Sequence, residues 1–289
     1  MIRPPSTADI GADVARALDE DLGSGDVTAA LIDPGVPAAA QVRCKEPATL
    51  CGSPWFDEVF RRIDPAIAVT WRFAEGADVP QEAIVCELRG PARGILSGER
   101  TALNFLQTLS GTATAARRYV AAVAGTGARI LDTRKTLPGL RNAQKYAVAC
   151  GGALNHRRGL YDAFLIKENH IAAAGSITAA VNRAAERGTA LMIEVEVETL
   201  DELREALGTA AHRLMLDDFS LPQLREAVAL RDAHAASRGV RKELEASGSM
   251  DLDKLRAVAE TGVDFISIGA LTKHVRAIDY SMRFVEAGV

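Results

Sequence analysis

The chain lacks any run near the roughly 20 consecutive apolar residues that a membrane span requires. Its first residues, Met1-Ile2-Arg3-Pro4-Pro5, contain no apolar signal core. Both absences point to a cytoplasmic protein with no membrane partner. Its four cysteines, Cys44, Cys51, Cys86 and Cys150, form no C-x-x-C pair and show no metal-ligand spacing, so they read as free, buried thiols in a reducing compartment. An excess of positive charge is missing too. The 34 Lys and Arg against 38 Asp and Glu leave a net charge of −4, which argues against nucleic-acid and anionic-membrane partners. No G-K-[ST] or H-E-x-x-H string occurs, and Gly23-Ser24-Gly25 lacks the strand context of a dinucleotide-binding loop.

What is present is a globular composition, 48% hydrophobic and 25% charged over 289 residues, long enough for two domains without disulfide staples. Its charge is uneven. Residues 129–170 hold eight cations against three acids, a local balance of +5, which leaves 26 cations against 35 acids elsewhere. One concentrated cationic stretch therefore sits in a mildly acidic protein.

Apolar spacing at Ile10, Val14, Ala17, Leu18 and Leu22 predicts a helix over 8–22. Strand-like pieces follow at 39–45, 68–73 and 83–88 around a helix at 54–62, the texture of a small α+β domain. Ser97 reads as the N-cap of a helix that stops at Gly111, with a second helix running to about Ala124. Beyond Gly125, short apolar runs recur at 129–132, 163–167, 191–196, 213–217, 243–247 and 265–269, each followed by a helix-length segment. Repeated βα units imply a parallel sheet, doubly wound or closed as a barrel. Nearly every run ends in residues capable of chemistry: Asp132 through Lys135, Lys167, Glu196, Asp217, Ser247 and Gly269. A barrel gathers strand C-termini at one mouth, so an α/β barrel is expected, incomplete because six runs fall short of eight.

Several groups at this mouth suit anions. Thr133-Arg134-Lys135-Thr136 and His156-Arg157-Arg158 supply donors for carboxylates or phosphates, with simple surface solvation the alternative for Arg141, Lys145 and Arg158. Lys167 fits either a phosphate contact or a Schiff-base nucleophile. Glu194 and Glu196 project to one face of a strand, and Asp217 could stand beside Glu196 at a Mg²⁺ or ribose-hydroxyl site; a solvent-facing edge pair is the other reading. Asp218 reads as a helix N-cap, while His170 and His274 read as ligands, acids or structural groups. Ser247-Gly248-Ser249 and Gly269-Ala270-Leu271-Thr272 place backbone N–H groups before likely helices, as a phosphate requires. The simplest occupants are a phosphorylated sugar and a carboxylated co-substrate.

The strings Glu20-Asp-Leu-Gly-Ser-Gly-Asp-Val-Thr28, Ser97-Gly-Glu-Arg-Thr-Ala-Leu-Asn-Phe-Leu-Gln107, Asp132-Thr-Arg-Lys-Thr-Leu-Pro-Gly-Leu-Arg141, Asn155-His-Arg157, Leu165-Ile-Lys-Glu-Asn-His170 and Gly269-Ala-Leu-Thr272 closely resemble the quinolinate phosphoribosyltransferase family. The resemblance runs from about residue 8 to the C-terminus. It implies an N-terminal α/β sandwich domain, 1–112 joined by 274–289, and a catalytic α/β barrel of six or seven strands over 113–273. It also implies Mg²⁺-dependent phosphoribosyl transfer from phosphoribosyl pyrophosphate to quinolinate with decarboxylation, a step of NAD biosynthesis.

By the same resemblance Arg134, Lys135, His156 and Arg157 would hold quinolinate, with Thr133 among the substrate-binding residues, and Lys167 would contact the phosphoribosyl pyrophosphate. Glu196 and Asp217 would hold ribose hydroxyls or Mg²⁺, and the amides of Ser247, Gly248, Ser249, Ile268, Gly269 and Ala270 the 5′-phosphate. Catalysis would rest on Lys135, Lys167, Glu196 and Asp217. Arg100 would be donated across the interface of a homodimer, or of a hexamer built as a trimer of dimers. Two departures stand out: Leu216-Asp-Asp-Phe219 where the family usually has Leu-Asp-Asn-Phe, and Ser247-Gly-Ser249 in place of Ser-Gly-Gly. The alternatives are a related transferase associated with molybdenum transport, a Schiff-base aldolase using Lys167, and a non-catalytic anion-binding module.

Overall fold

The structure, a computed structural model, describes residues 3–285, which pack as two units. The first contains the residues up to Arg117, Thr136–Gly152 and the segment from Ala270 onward; the second contains Arg118–Lys135 and Ala153–Gly269. Residues 113–117, 136–152 and 270–273, expected in the barrel domain, thus pack with the first unit. The terminal residues 1–2 and 286–289 of the expected first-domain span lie outside the described residues.

In chain order the first stretch is α1 (Thr7–Leu22), β1 (Pro37–Cys44), β2 (Ala48–Thr49), α2 (Ser53–Ile63), β3 (Ala68–Trp71), β4 (Asp78–Val79), β5 (Ile84–Pro91) and α3 (Ala92–Ala122). Then come β6 (Arg129–Leu131), α4 (Arg141–Cys150), β7 (Ala163–Ile166), α5 (Glu168–Ala174), α6 (Ile177–Ala185), β8 (Met192–Val197) and α7 (Leu200–Leu207). The chain closes with β9 (Arg213–Asp217), α8 (Leu221–Arg238), β10 (Glu243–Ser247), α9 (Leu252–Ala259), β11 (Phe265–Ser267), α10 (Ala270–Lys273) and β12 (Tyr280–Val285).

The first unit is a helix-on-sheet sandwich. Its antiparallel sheet runs β12-β1-β5-β3, so the last described strand pairs with the first, Cys44 opposite Tyr280. Strand alternation buries Ala40, Val42 and Cys44 with Ile10, Val14, Phe56 and Phe60 from the helices, leaving Gln41 and Arg43 on the other face. Ser6 caps α1 by accepting the Asp9 N–H, and the buried Trp55 indole donates to Asp13 at 3.1 Å, satisfying two polar groups in this core. All four cysteines are free and buried.

The helix break expected at Gly111 is absent: α3 is one helix of 31 residues. Ser97 lies inside it and donates to Asp26 instead of capping. Gly111 is there because α3 and residues 276–277 approach closely; a Cβ would stand 2.2 Å from the Arg276 carbonyl oxygen. Beside it the buried Ser110 hydroxyl bonds both to the Cys51 backbone and to the Tyr280 hydroxyl, joining helix, loop and β12.

In the second unit, six parallel strands run β6-β11-β10-β9-β8-β7. Consecutive strands from β7 to β11 are neighbours and β6 joins beyond β11, the cyclic order of an α/β barrel left open between β6 and β7. A doubly wound sheet would reverse its strand order partway; this one does not. All six apolar runs read from the sequence are strands, and being parallel they bring their C-terminal ends to the same edge. Among the described residues, no helix is long and apolar enough to cross a membrane.

Candidate active site

A cavity of about 170 Å³ opens at that edge, lined by Thr133, Arg134, Lys135, His156, Arg157, Leu165, Lys167, Glu196, Met215, Glu245, Ser247 and Ser267. Parallel pairing explains the assembly. Thr133–Lys135 follow β6, Lys167 follows β7, Glu196 lies on β8 and Ser247 ends β10. His156 and Arg157 come from the loop before β7, a loop held by Asp132, whose carboxylate accepts the His156 N–H and the Asn155 amide, each at 2.8 Å.

The electrostatics are those of an anion receptor. Burial and the charge of Arg134 both hold Arg157 below the usual guanidinium range, so two like charges stand together in the cavity wall. The Arg157 Nη1 donates to the Ala163 carbonyl at 3.3 Å, which fixes its stem without neutralising it. Lys167 forms a short ion pair with Glu196. Burial pushes the Glu196 carboxyl up against the opposing hydrogen bond from Lys167, and the Asp217 charge pushes it the same way. Glu196 therefore faces the cavity interior, as its alternation with Val195 and Val197 predicts, and not an exposed edge.

Glu245, to which the sequence analysis gives no role, completes the cavity lining. Glu245, two residues after Glu243 on β10, repeats the i, i+2 acid spacing of Glu194 and Glu196, the one signal that could have marked it. Burial holds the Glu194 carboxyl at about 7; burial and the Glu194 charge hold Glu245 at about 8. Against unfolded values near 4.3, the folded chain keeps extra protons here, so this stabilisation is whole below about pH 4.3 and disappears as pH rises through 7 to 8. The melting temperature should fall from pH 5 to pH 9 by an amount worth a few kcal/mol, and Glu245→Gln should flatten the decline. An unchanged slope in that variant would place the titration elsewhere.

The remaining residues lie outside the cavity wall. Asp217 ends β9, half-buried. Asp218 is not a helix cap: Ser220 caps α8, and Asp218 takes a left-handed backbone with φ 53°. Its carboxylate presses on Gly248, where a Cβ would lie 2.1 Å away, and accepts the Ser249 N–H at 3.4 Å. The chain's own acid thus contacts the turn read as a phosphate cradle. The Ile268 N–H donates to Leu131 at 2.9 Å and extends the strand ladder, while Gly269 packs its Cα side against the Lys135 stem. Ala270, Arg141, Lys145 and the exposed Arg100 belong to the first unit; Lys145 is fully buried and Arg158 is exposed. His170 caps α5 by accepting the Lys167 N–H, a structural use.

Residues 26–110 match the quinolinate phosphoribosyl transferase N-terminal domain and residues 112–283 the C-terminal domain of the same family. The solved nicotinate-nucleotide pyrophosphorylase from Francisella tularensis is 44% identical, with a TM-score of 0.93 over 99% of both chains. The carboxylating nicotinate-nucleotide pyrophosphorylase of Mycobacterium leprae is 40% identical over 93% of this chain and 95% of its own, and a probable one from Bacillus subtilis is 40% identical over 91% and 89%.

Proposed function

Because this chain belongs to the quinolinate phosphoribosyltransferase family, we propose that it is a pentosyltransferase converting quinolinate and phosphoribosyl pyrophosphate into nicotinate mononucleotide, pyrophosphate and CO₂, acting in the cytoplasm in NAD biosynthesis. The observation that carries this reading is the pairing of Arg134 with Arg157 in one cavity wall beside Lys135 and Lys167. Like charges held together in a half-buried site are relieved by a dianion, and two guanidiniums match a pyridine dicarboxylate.

Arg134, Lys135 and Arg157 bind and orient quinolinate, with Thr133 and His156 beside them in the cavity wall. Lys167 meets the phosphoribosyl pyrophosphate and Ser247 with its neighbouring amides the 5′-phosphate, while Glu196 and Asp217 face the ribose. The pyridine nitrogen forms a bond to C1 as pyrophosphate departs with its electron pair. The resulting cationic ring accepts the electrons of the C2–carboxylate bond, CO₂ leaves, and C2 takes a proton. Binding must orient the 2-carboxylate without over-stabilising it, since uniform ground-state binding does not speed the chemical step. Glu196 and Asp217 suit Mg²⁺: they lie in the C-terminal ends of adjacent strands, the charge of one is felt by the other, and Mg²⁺ takes one or two carboxylates besides water and phosphate. Bound there, Mg²⁺ would neutralise leaving-group charge.

Incubation with quinolinate, phosphoribosyl pyrophosphate and Mg²⁺ is expected to yield nicotinate mononucleotide and CO₂, and chelation to stop it. Absence of product, or a preference for nicotinate over quinolinate, would sink the reading. An aldolase role is disfavoured by the ion pair to Glu196, which a Schiff-base lysine would have to give up. Exposed on α3 and without an ion pair among the described residues, Arg100 suits donation to a second subunit. Mixed Arg100→Ala and Lys167→Ala chains should then recover activity that neither has alone; no recovery rejects the donation.

A further inference from the structure

The interior of this barrel carries charge where parallel barrels usually carry Val, Ile and Leu. Strand register sets Arg213 between Glu194 and Glu243, one level below Met215 between Glu196 and Glu245. His156 enters this interior from its loop. Its Nε2 lies 2.9 Å from Glu194 and 3.6 Å from Glu245, and all three side chains are buried. Its Nδ1 accepts the Arg157 N–H at 2.7 Å. A nitrogen that accepts carries a lone pair, so the neutral ring bears its proton on Nε2, facing the two acids. That assignment also removes Nε2 as a metal ligand, although His156, Glu194 and Glu245 are grouped closely enough to surround an ion.

The approach of Nε2 to Glu194 is close but off the line of a hydrogen bond, so it works as a short-range contact between a carboxyl group and the N–H edge of the ring. Arg213 holds the acids from the far side: Nη1 is 3.3 Å from Glu245, Nη2 is 2.9 Å from Glu243, and the guanidinium stacks 3.9 Å over Phe265. With Asp132 accepting the His156 N–H, the Asn155–Arg157 loop is held at its backbone and from beneath its ring.

We propose that Glu194, backed by Glu245 and Arg213, is a positioning residue that sets the His156 ring and, through its Nδ1, the Arg157 backbone, so that the Arg157 guanidinium stays aimed at the carboxylated substrate. This rests on the reading of the cavity as the quinolinate site. Glu194 acts through its neighbours and not on the reacting atoms.

The test uses the full chain, with quinolinate and phosphoribosyl pyrophosphate binding measured separately by calorimetry and imidazole ¹⁵N spectra recorded. Glu194→Ala should weaken quinolinate binding by roughly tenfold, the scale on which losing a partner that orients a ligand-holding group acts at metal sites, and leave phosphoribosyl pyrophosphate binding unchanged. Glu194→Gln, which keeps an acceptor at the ring, should restore most of the loss. In a His156→Gln background Glu194→Ala should add little, because the two act as one unit. Glu243→Gln, which touches Arg213 but not His156, should alter stability alone. Equal weakening of both ligands, additive losses, or a wild-type His156 protonated on Nδ1 would overturn the proposal. If the wild type binds no quinolinate, the substrate reading fails by itself, while the ring's protonated nitrogen in wild type and Glu194→Ala still decides the positioning role.

Discussion

Alanine at Arg157 should lower kcat/KM for quinolinate by about two to three orders of magnitude, or about 3–4 kcal/mol of transition-state stabilisation. The guanidinium is partly buried beside Arg134, its Nη1 donates to the Ala163 carbonyl and the charges of Glu194 and Asp162 act against the repulsion, which a bound dianion would relieve further. Removing it takes away a planar double donor that lysine does not reproduce, and Arg157→Lys should recover only part of the loss. The neighbouring Arg158→Ala removes the same formal charge at an exposed position and should change kcat/KM by no more than about twofold. Steady-state kinetics on the three variants decide the matter; wild-type turnover in Arg157→Ala would remove this residue from the site.

Gly111→Ala is expected to be the most damaging small substitution in the first unit, costing about 2–3 kcal/mol or preventing folding. Inside a helix, alanine ordinarily gains up to about 1 kcal/mol over glycine. Here the added methyl would stand 2.2 Å from the Arg276 carbonyl oxygen and 3.0 Å from its carbon, backbone atoms that cannot swing aside. Relief requires moving α3 away from residues 276–277, which would strain the Ile278 N–H bond to Gln107 and the Tyr280–Ser110 contact one element further on. Gly35→Ala, in the same unit with nothing within 4 Å of the new Cβ and no left-handed backbone, should leave urea unfolding unchanged. Equal stability of the two variants would show that the close approach does not limit packing.

These two cases mark where sequence reasoning works and where it stops. Arg157 was legible because arginine beside histidine, ahead of a strand that ends in lysine, already has the chemistry of an anion site whatever surrounds it. Gly111 reads as a helix stop, because a glycine that ends a helix and one that admits a neighbouring backbone look identical along the chain; residue 276, far off in sequence, distinguishes them. Asp218 is a like case. Its position just before a helix resembles a cap, yet Ser220 takes that place and the Asp218 carboxylate turns toward Gly248 and Ser249.

By itself the sequence determined the six parallel strands, the chemistry at their ends and the family, because alternation, short apolar runs and motif strings are local properties that survive any arrangement of the chain. Tertiary structure decided which of those groups meet. It placed Arg134 against Arg157, engaged Lys167 with Glu196, and set His156 on Glu194 and Glu245. It also assigned residues 136–152 to the first unit despite their place between barrel strands. The physical reason is that periodicity records which face of an element is buried, whereas register and sheet closure select its partner, and a carboxyl or imidazole acquires its function only from what that partner brings within contact distance.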